Sequence, residues 1–523
     1  MGPKKLPYLI HSGSNQFILP DNFFVNCNYL WANEDYLQEN NLEQVFINGR
    51  FNASYQNNYF LLDKSSVWLK QPAILKQLPA NRVIYSAQAK LTAESQAILD
   101  FRGEFRLDFG QNLTQLQHDI NLYFFGQNIG YQVLPLEIYL PQPILECAKI
   151  MGNTYYEINY DFGTTWQNIG HLRHSVFLPQ GMKEDIEVEC QRSANVHFKV
   201  EVQCFSIQKQ SCIKKWVMSD HDFHQKHLLV GDLGEASYFQ VTFYAYGSGQ
   251  LKLGTIHMHR ALGPYGKIAL GAKGICDRQG LGGEVNYLFN AGNLKPPLLV
   301  VFAGFNTASV FEGNGLVQKV GSPSLLVTDS RLYGGAFYIG SAEFEQQVGQ
   351  IIIHYLHQLG FTRQDLVLTG ISMGAYAALY YGAQLGAGSI VAAKIIANLG
   401  VVAANSKIKR PEGFDDINDI ILAEYGGIDA ATLAKVNQKM WLQFARADLS
   451  QTDFTLGYME EEDYDDTGYQ SVRNFLQKKY PQAHVLSKGF WGRHNDNAEI
   501  SSWFIQQVMD LINYKYREQE MEG

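Results

Sequence analysis

The sequence has no long apolar run and no excess of positive charge. Its apolar stretches are short, and LLVVF at 298–302 is only of strand length, whereas a membrane-spanning helix needs roughly 18 residues or more. The net charge of the 523 residues is −9 at pH 7, which argues against a broad nucleic-acid-binding surface. The opening MGPKKLPYLI carries two lysines, but its apolar stretch is too short to predict a secretory signal.

Cysteine is also sparse, and its spacing argues against a disulfide framework. The six cysteines form no C-x-x-C pair and are scattered along the chain: Cys27, Cys147, Cys190, Cys204, Cys212 and Cys276. In a chain of this length they predict free thiols in a reducing compartment. We therefore expect a cytoplasmic protein.

Signals for a bound metal or cofactor are weak. The stretch HDFHQKH contains His221, His224 and His227, but a spacing of three and three without a matching fourth ligand favours a surface loop or helix over a metal site. No nucleotide-type glycine loop is present. The sequence thus predicts neither a metal nor a cofactor.

Residues 1–125 mix short strands with helical stretches. VFINGRF at 45–51 and RVIYSA at 82–87 predict strands, and LTAESQAILDF at 91–101 predicts a helix. This pattern is typical of a small α/β region.

Between residues 126 and 260 the apolar period becomes two. In VHFKVEVQCF at 196–205 and SYFQVTFYAYG at 237–247, apolar and polar residues alternate. Short alternating strands separated by turn residues predict a β-sandwich.

Residues 261–523 return to an α/β pattern. PPLLVVFAGF and SLLVTDSR are apolar strands, and EFEQQVGQIIIHYLHQLG is an amphipathic helix with Gly360 as its C-terminal cap. Apolar strands that alternate with helices predict a parallel sheet covered on both faces.

One motif in this last region indicates chemistry. LVLTGISMGAYAALYYG at 366–382 contains G-x-S-x-G centred on Ser372, between a strand and a helix rich in small residues. This is the setting of a nucleophile elbow, in which a strained turn exposes the serine hydroxyl above the sheet. Side chains two residues before or after the serine would collide with the neighbouring strand or helix. The alternative is a helix N-terminus that Ser372 merely caps.

A nucleophilic serine needs a base and an acid, in the chain order serine, acid, histidine. His494 follows the strand HVLSKGF at 484–490 and precedes a helix, where the base belongs. The strand FTLGYM at 454–459 runs into an acidic segment, so the acid is one of Glu460, Glu461, Glu462 and Asp463. The alternatives are a plain surface histidine and a solvated acidic run.

The oxyanion of an acyl-transfer reaction also needs donors. The Met373 N–H, directly after the nucleophile, is one candidate, and the loop after the strand at 298–302 offers Gly304 and Phe305. The stretch AGFN could equally form a plain turn.

Several motifs taken in order resemble one known family. They are NLKPPLLVVFAGF, FEGNG, LLVTDSRLYGGAFYIGS, LVLTGISMGAYAALYYG, GYMEEEDYD and SKGFWGRHND. The chain resembles the second of the three accessory secretory proteins of the accessory Sec export route of Gram-positive bacteria, most densely over about 250–510. The resemblance implies an α/β-hydrolase-like C-terminal domain behind a β-sandwich similar to a carbohydrate-binding module.

The resemblance also implies an activity and a site. The family is implied to O-acetylate N-acetylglucosamine on serine-rich-repeat adhesins. Its triad serine and histidine fall on Ser372 and His494. Its acid is best matched by Glu461, after Tyr458-Met459. Relatives more often have paired aspartates where this chain has Glu462-Asp463, so the register of the acid stays open by one or two positions.

The implied partners are the two sister accessory proteins, the motor ATPase of the accessory Sec system and the glycosylated adhesin. Peripheral association with the inner face of the membrane, through the export channel, is implied as well. Two rival functions stay open: a scaffold or escort for adhesin export without catalysis, and a carbohydrate esterase.

Overall fold

We describe the protein from a computed structural model, which covers residues 6–32, 45–109, 113–125, 130–219, 228–231, 233–410, 413–496 and 498–517. Within these ranges the strands form three large sheets and one two-stranded hairpin. No helix in this described part of the chain is long and apolar enough to cross a membrane.

The first sheet has five parallel strands in the order β2-β1-β5-β6-β7. Its central strands YFLL and VIYS are apolar runs buried along their whole length, as expected for parallel strands covered on both faces. The strands of this region are β1 (Tyr8–Ser12), β2 (Asn28–Ala32), β3 (Phe46–Ile47), β4 (Arg50–Phe51), β5 (Tyr59–Leu62), β6 (Val83–Ser86) and β7 (Phe105–Leu107). The helices are α1 (Pro72–Leu75), α2 (Ala93–Phe101) and α3 (Leu113–Asp119).

The predicted single strand at 45–51 is wrong. The segment folds back on itself as the antiparallel hairpin β3–β4. Asn48 and Gly49 form its turn with φ of 51° and 75°. Asn-Gly favours this left-handed pair of conformations, which matches the twist of the flanking strands.

The second sheet system is a β-sandwich built around one long strand. Residues 237–247 of β18 pair with β12, β13 and β15, whereas residues 248–260 pair with β8, β11 and β14. The burial of β15 alternates at every residue, and both halves share one apolar core. The strands are β8 (Gly130–Val133), β9 (Ile138–Tyr139), β10 (Ala148–Met151), β11 (Tyr155–Asp161), β12 (Gln167–Leu172), β13 (Val176–Leu178), β14 (Lys183–Arg192), β15 (Val196–Ser206), β16 (Cys212–Ser219), β17 (Leu228–Gly231) and β18 (Ser237–Arg260), with the short helix α4 (Gln142–Leu145).

The third sheet has eight strands in the order β19-β20-β22-β21-β23-β24-β25-β26. The six strands from β22 to the β26 edge run parallel, and β20 is antiparallel to both neighbours. The strands are β19 (Lys273–Cys276), β20 (Glu284–Asn290), β21 (Leu298–Phe302), β22 (Ser324–Asp329), β23 (Leu366–Ile371), β24 (Ser389–Ala393), β25 (Asp453–Met459) and β26 (Val485–Phe490). This order is that of an α/β-hydrolase sheet, so the predicted fold class is confirmed.

Helices cover both faces of the third sheet, where two separate apolar clusters form. The amphipathic helix predicted at 343–360 is α6, and Gly360 follows it with a left-handed φ of 72°. The helices are α5 (Asn314–Val320), α6 (Ala342–Gln358), α7 (Met373–Leu385), α8 (Leu399–Ile408), α9 (Asp416–Tyr425), α10 (Ala430–Arg446), α11 (Gly468–Lys479) and α12 (Glu499–Ile512). The domain boundaries at 125/126 and 260/261 stay a prediction.

Candidate active site

Ser372 lies in a strained turn between β23 and α7. Its φ of 58° and ψ of −114° are rare for a residue with a side chain. Its backbone N–H donates to the carbonyl of Ala393, at the end of β24, over 2.9 Å. Its side chain makes no capping hydrogen bond to α7, so the hydroxyl is not used as a plain helix cap.

The two glycines of the motif allow this turn. A Cβ at Gly370 would lie 2.3 Å from the carbonyl carbon of Gly374, and a Cβ at Gly374 would lie 2.2 Å from the carbonyl oxygen of Phe302 in β21. Both contacts are with backbone atoms, which have no rotamer to move away. The turn can therefore pack against helix and strand only with glycine at both positions.

His494 reaches Ser372 from the loop after β26. Its Nε2 lies 2.8 Å from Oγ of Ser372. The residue is only 1% exposed, unlike a plain surface histidine. The ring of Tyr464 stacks on the imidazole with centroids 4.2 Å apart, and the His494 backbone N–H donates to Oδ1 of Asp463 over 3.1 Å. The imidazole is therefore fixed from behind and from one face.

The carboxylate beside the imidazole belongs to Glu462, not to Glu461. The Nδ1 atom of His494 lies 2.8 and 2.9 Å from the two carboxylate oxygens of Glu462. The backbone N–H of Tyr464 also donates to Glu462 over 3.0 Å and orients it. Glu461 is exposed and meets the histidine loop only through its backbone N–H, which donates to the carbonyl of Gly492 over 3.2 Å.

The other acidic residues of this segment are either exposed to solvent or hold the loop in place. Glu460 is exposed, whereas Asp463 pairs with Arg410 over 2.9 Å. Asp465, which sequence reasoning missed, is 1% exposed and accepts the backbone N–H groups of Ala397 and Asn398 over 2.8 and 2.7 Å. Burial raises the pKa of Asp465. The aspartate ties the Glu462 loop to the connection between β24 and α8, and an acidic run gives no sequence signal for such an anchor.

The two predicted loop donors differ in their partners. The N–H of Gly304 donates to Oε2 of Glu312 over 2.9 Å and is therefore occupied. For the N–H of Phe305, the described residues include no hydrogen-bond acceptor. Met373 opens α7, and the first N–H groups of a helix have no partner inside it. Met373 and Phe305 are thus available as donors, and Gly304 is not.

The remaining metal and cysteine expectations concern other parts of the chain. His221, His224 and His227 lie outside the described residues. Among the residues that are described, no group of three or more His, Cys, Asp or Glu side chains could hold a metal ion. All six cysteines fall in described ranges, and none of them forms a disulfide.

The third sheet and its strained serine turn define an α/β-hydrolase-type fold. A family model for the accessory Sec system GspB-transporter matches residues 21–518, and the chain belongs to this family. The second accessory secretory protein of the accessory Sec system in Streptococcus gordonii is 33% identical over 451 residues, covering 84% of this chain and 81% of the relative. The corresponding protein of Staphylococcus aureus is 31% identical over 408 residues, covering 78% of this chain and 77% of the relative.

A solved structure extends the similarity to the whole fold. The Glycosylation Associate Protein (Gap123) complex from Streptococcus agalactiae contains a chain that superposes with a TM-score of 0.80 at 26% identity. The match covers 98% of this chain and 99% of that chain.

Proposed function

We propose that this protein is a serine-dependent O-acetyltransferase that acts on N-acetylglucosamine of serine-rich-repeat adhesins. One observation carries the proposal: the line of hydrogen bonds from Glu462 through His494 to Ser372, with links of 2.8 Å on each side of the ring. A serine hydroxyl is a weak nucleophile unless a base takes its proton. This line supplies the base, and behind it a carboxylate that selects the tautomer and stabilises the charged imidazole.

In the first half-reaction, Oγ of Ser372 attacks the carbonyl carbon of an acetyl donor while its proton moves to Nε2 of His494. The N–H groups of Met373 and Phe305 would stabilise the resulting oxyanion; losing one such donor typically costs about 10²–10³ in rate. The oxyanion intermediate then collapses. The bond to the leaving group breaks, that group takes the proton from Nε2, and an acetyl ester remains on Ser372.

In the second half-reaction, a hydroxyl of the sugar gives its proton to Nε2 and attacks the acetyl ester. The ester bond to Ser372 breaks, and Oγ recovers the proton. With water as the attacking species, the same steps would make the protein a carbohydrate esterase. The choice of acceptor therefore separates transferase from esterase.

We further propose that the protein works in the cytoplasm with its two sister accessory proteins and the accessory Sec motor ATPase to export the adhesin. Peripheral association with the membrane through the export channel belongs to this proposal. Membership of the accessory Sec family supports it, as does the similarity to a chain of the Gap123 complex.

The test is the variant Ser372→Ala in cells that export the adhesin, with the exposed Ser450→Ala as matched control. We expect Ser372→Ala to leave the adhesin exported but without O-acetyl groups, as read by mass spectrometry of the secreted glycan. Unchanged acetylation in this variant would refute the enzymatic proposal and leave the scaffold function. Loss of acetate from purified acetylated glycan, without any acceptor, would instead establish an esterase.

A further inference from the structure

A cavity that Ser372 does not line lies between the first and third sheets. Its volume is about 980 Å³, at the upper end of the range of small-molecule sites. The first α/β region contributes Arg50 of the β3–β4 hairpin and Arg82 before β6 to its lining, and the third-sheet region contributes Phe311 and Gln318. The cavity is therefore assembled only when the two α/β regions pack together.

The charge of this cavity is opposite to that of the whole protein. Its described lining includes Arg50, Lys76, Arg82 and Arg102 but neither Asp nor Glu, in a chain with a net charge of −9. A cleft lined by charge of one sign concentrates its potential and attracts counter-charged ligands. The cavity therefore favours an anion.

Two of the four basic groups are already engaged. Arg102 donates to the carbonyls of Leu78 and Gly292 and lies 3.8 Å from the carboxylate of Glu104, so its guanidinium is already occupied. Lys76 forms an exposed ion pair with Glu94 over 3.3 Å, which is weak in solvent. Arg50 and Arg82 are left to meet a ligand.

The backbone N–H of Arg82 donates to Oε2 of Glu104 over 3.0 Å, whereas its guanidinium is held by other groups. Its guanidinium lies over the ring of Tyr59, 4.8 Å from the centroid, and one N–H donates to the carbonyl of Asn57 over 3.1 Å. Within the described ranges neither Arg82 nor the exposed Arg50 has a salt-bridge partner. A fixed guanidinium with spare donors is well suited to bind phosphate.

The other lining residues suit a hydroxyl-rich ring. Phe51 and Phe311 supply aromatic surface, and Gln56 supplies an amide group. Gln318 also lines the cavity, and its amide N–H donates to Oδ1 of Asn57 over 3.2 Å. We infer that this cavity is a binding site for a small phosphorylated sugar, with the phosphate at Arg50 and Arg82 and the ring against the aromatic and amide side chains. This site is separate from the proposed acyl-transfer chemistry.

The same cavity touches a segment that reaches the candidate active site. Val310 and Phe311 line it, and the next residue, Glu312, holds the N–H of Gly304. A ligand that packs on Phe311 would therefore steady the loop that carries the Phe305 donor.

The experiment measures binding to the full chain by isothermal titration calorimetry, with glucose 1-phosphate, glucose and inorganic phosphate as probes. We expect glucose 1-phosphate to bind more tightly than either fragment. Arg82→Gln and Arg50→Gln should each weaken it by about tenfold or more, since each removes a charged hydrogen bond. The matched control Lys319→Gln removes a nearby exposed charge outside the lining. It should leave the affinity within about twofold, because solvent screens an exposed charge that does not contact the ligand.

The proposed binding site and the proposed catalytic function can be refuted independently of each other. Ser372→Ala should bind glucose 1-phosphate like the unmodified chain, whatever its effect on acetylation. Equal affinity for inorganic phosphate and glucose 1-phosphate would overturn the sugar recognition. No binding, or equal loss in Lys319→Gln and in the exposed hairpin variant Arg50→Gln, would overturn the site itself.

Discussion

Arg410 and Asp463 form an ion pair, with Nη1 of the guanidinium 2.9 Å from Oδ2 of the carboxylate. The other carboxylate oxygen of Asp463 accepts the backbone N–H of His494 over 3.1 Å. Arg410 also lies over the ring of Tyr464, 4.6 Å from its centroid, and that ring stacks on the imidazole. One arginine, just beyond α8, thus contacts both residues that hold the proposed catalytic histidine.

Arg410→Gln should therefore slow catalysis without changing the catalytic groups. We expect kcat to fall by about tenfold with little change in KM, because a misplaced imidazole weakens proton transfer rather than binding. The measurement is ester cleavage of p-nitrophenyl acetate. The control is Lys409→Gln, whose ion pair with Asp466 is exposed. A fall in Lys409→Gln as large as in Arg410→Gln would contradict a positioning role.

Glu462 and Glu461 offer a direct comparison between neighbours of the same type. Glu462→Gln keeps the size of the side chain but removes the charge beside Nδ1 of His494. We expect kcat for ester cleavage to drop by about 10²–10⁴, as for loss of the carboxylate behind a catalytic histidine. Glu461→Gln alters only an exposed side chain and should stay within about twofold, since an exposed charge contributes little. A larger loss of kcat in Glu461→Gln than in Glu462→Gln would instead assign the acid to Glu461, the residue that the family resemblance implies.

The part of the site that the sequence predicts is the part set by local patterns. The G-x-S-x-G turn needs only a strand, two glycines and a helix, and the chain order of an α/β-hydrolase sheet puts the histidine in the loop after the last strand. The structure accordingly brings Ser372 and His494 together. Which of the adjacent residues Glu461 and Glu462 faces His494 is set by the conformation of one turn. A turn has no periodic sequence pattern from which the direction of each side chain could be predicted.

Contacts between irregular loops cannot be predicted from the sequence for a related reason. The hydrogen bond from Gly304 to Glu312 and the buried contacts of Asp465 join segments without helical or strand periodicity. The hairpin at 45–51 differs, because its Asn48-Gly49 pair is a strong turn signal. Its apolar residues outweighed that signal and led to a single predicted strand.

The contact between Glu312 and Gly304 should control the oxyanion donor. Glu312→Ala removes the acceptor of the Gly304 N–H, which would free the loop to turn Phe305 away from Ser372. We expect ester cleavage to fall by about tenfold or more, short of the full loss of one donor. Glu312→Gln retains an acceptor oxygen and should recover most of the rate. Equal rates in Glu312→Ala and the unmodified chain would show that the loop is held by other contacts.

The glycines of the serine turn should be far less tolerant than a glycine elsewhere in the same sheet domain. Gly370→Ala would place a Cβ 2.3 Å from backbone atoms of Gly374, and overpacking of this kind typically costs about 1–3 kcal/mol. Gly315→Ala is the matched control, because nothing lies within 4 Å of its Cβ position in α5 and alanine favours a helix by roughly 0.5–1 kcal/mol. Urea denaturation should therefore give a lower free energy of unfolding for Gly370→Ala and an equal or higher one for Gly315→Ala. Equal stabilities of the two variants would show that the turn can relax, and the steric account of the motif would be wrong.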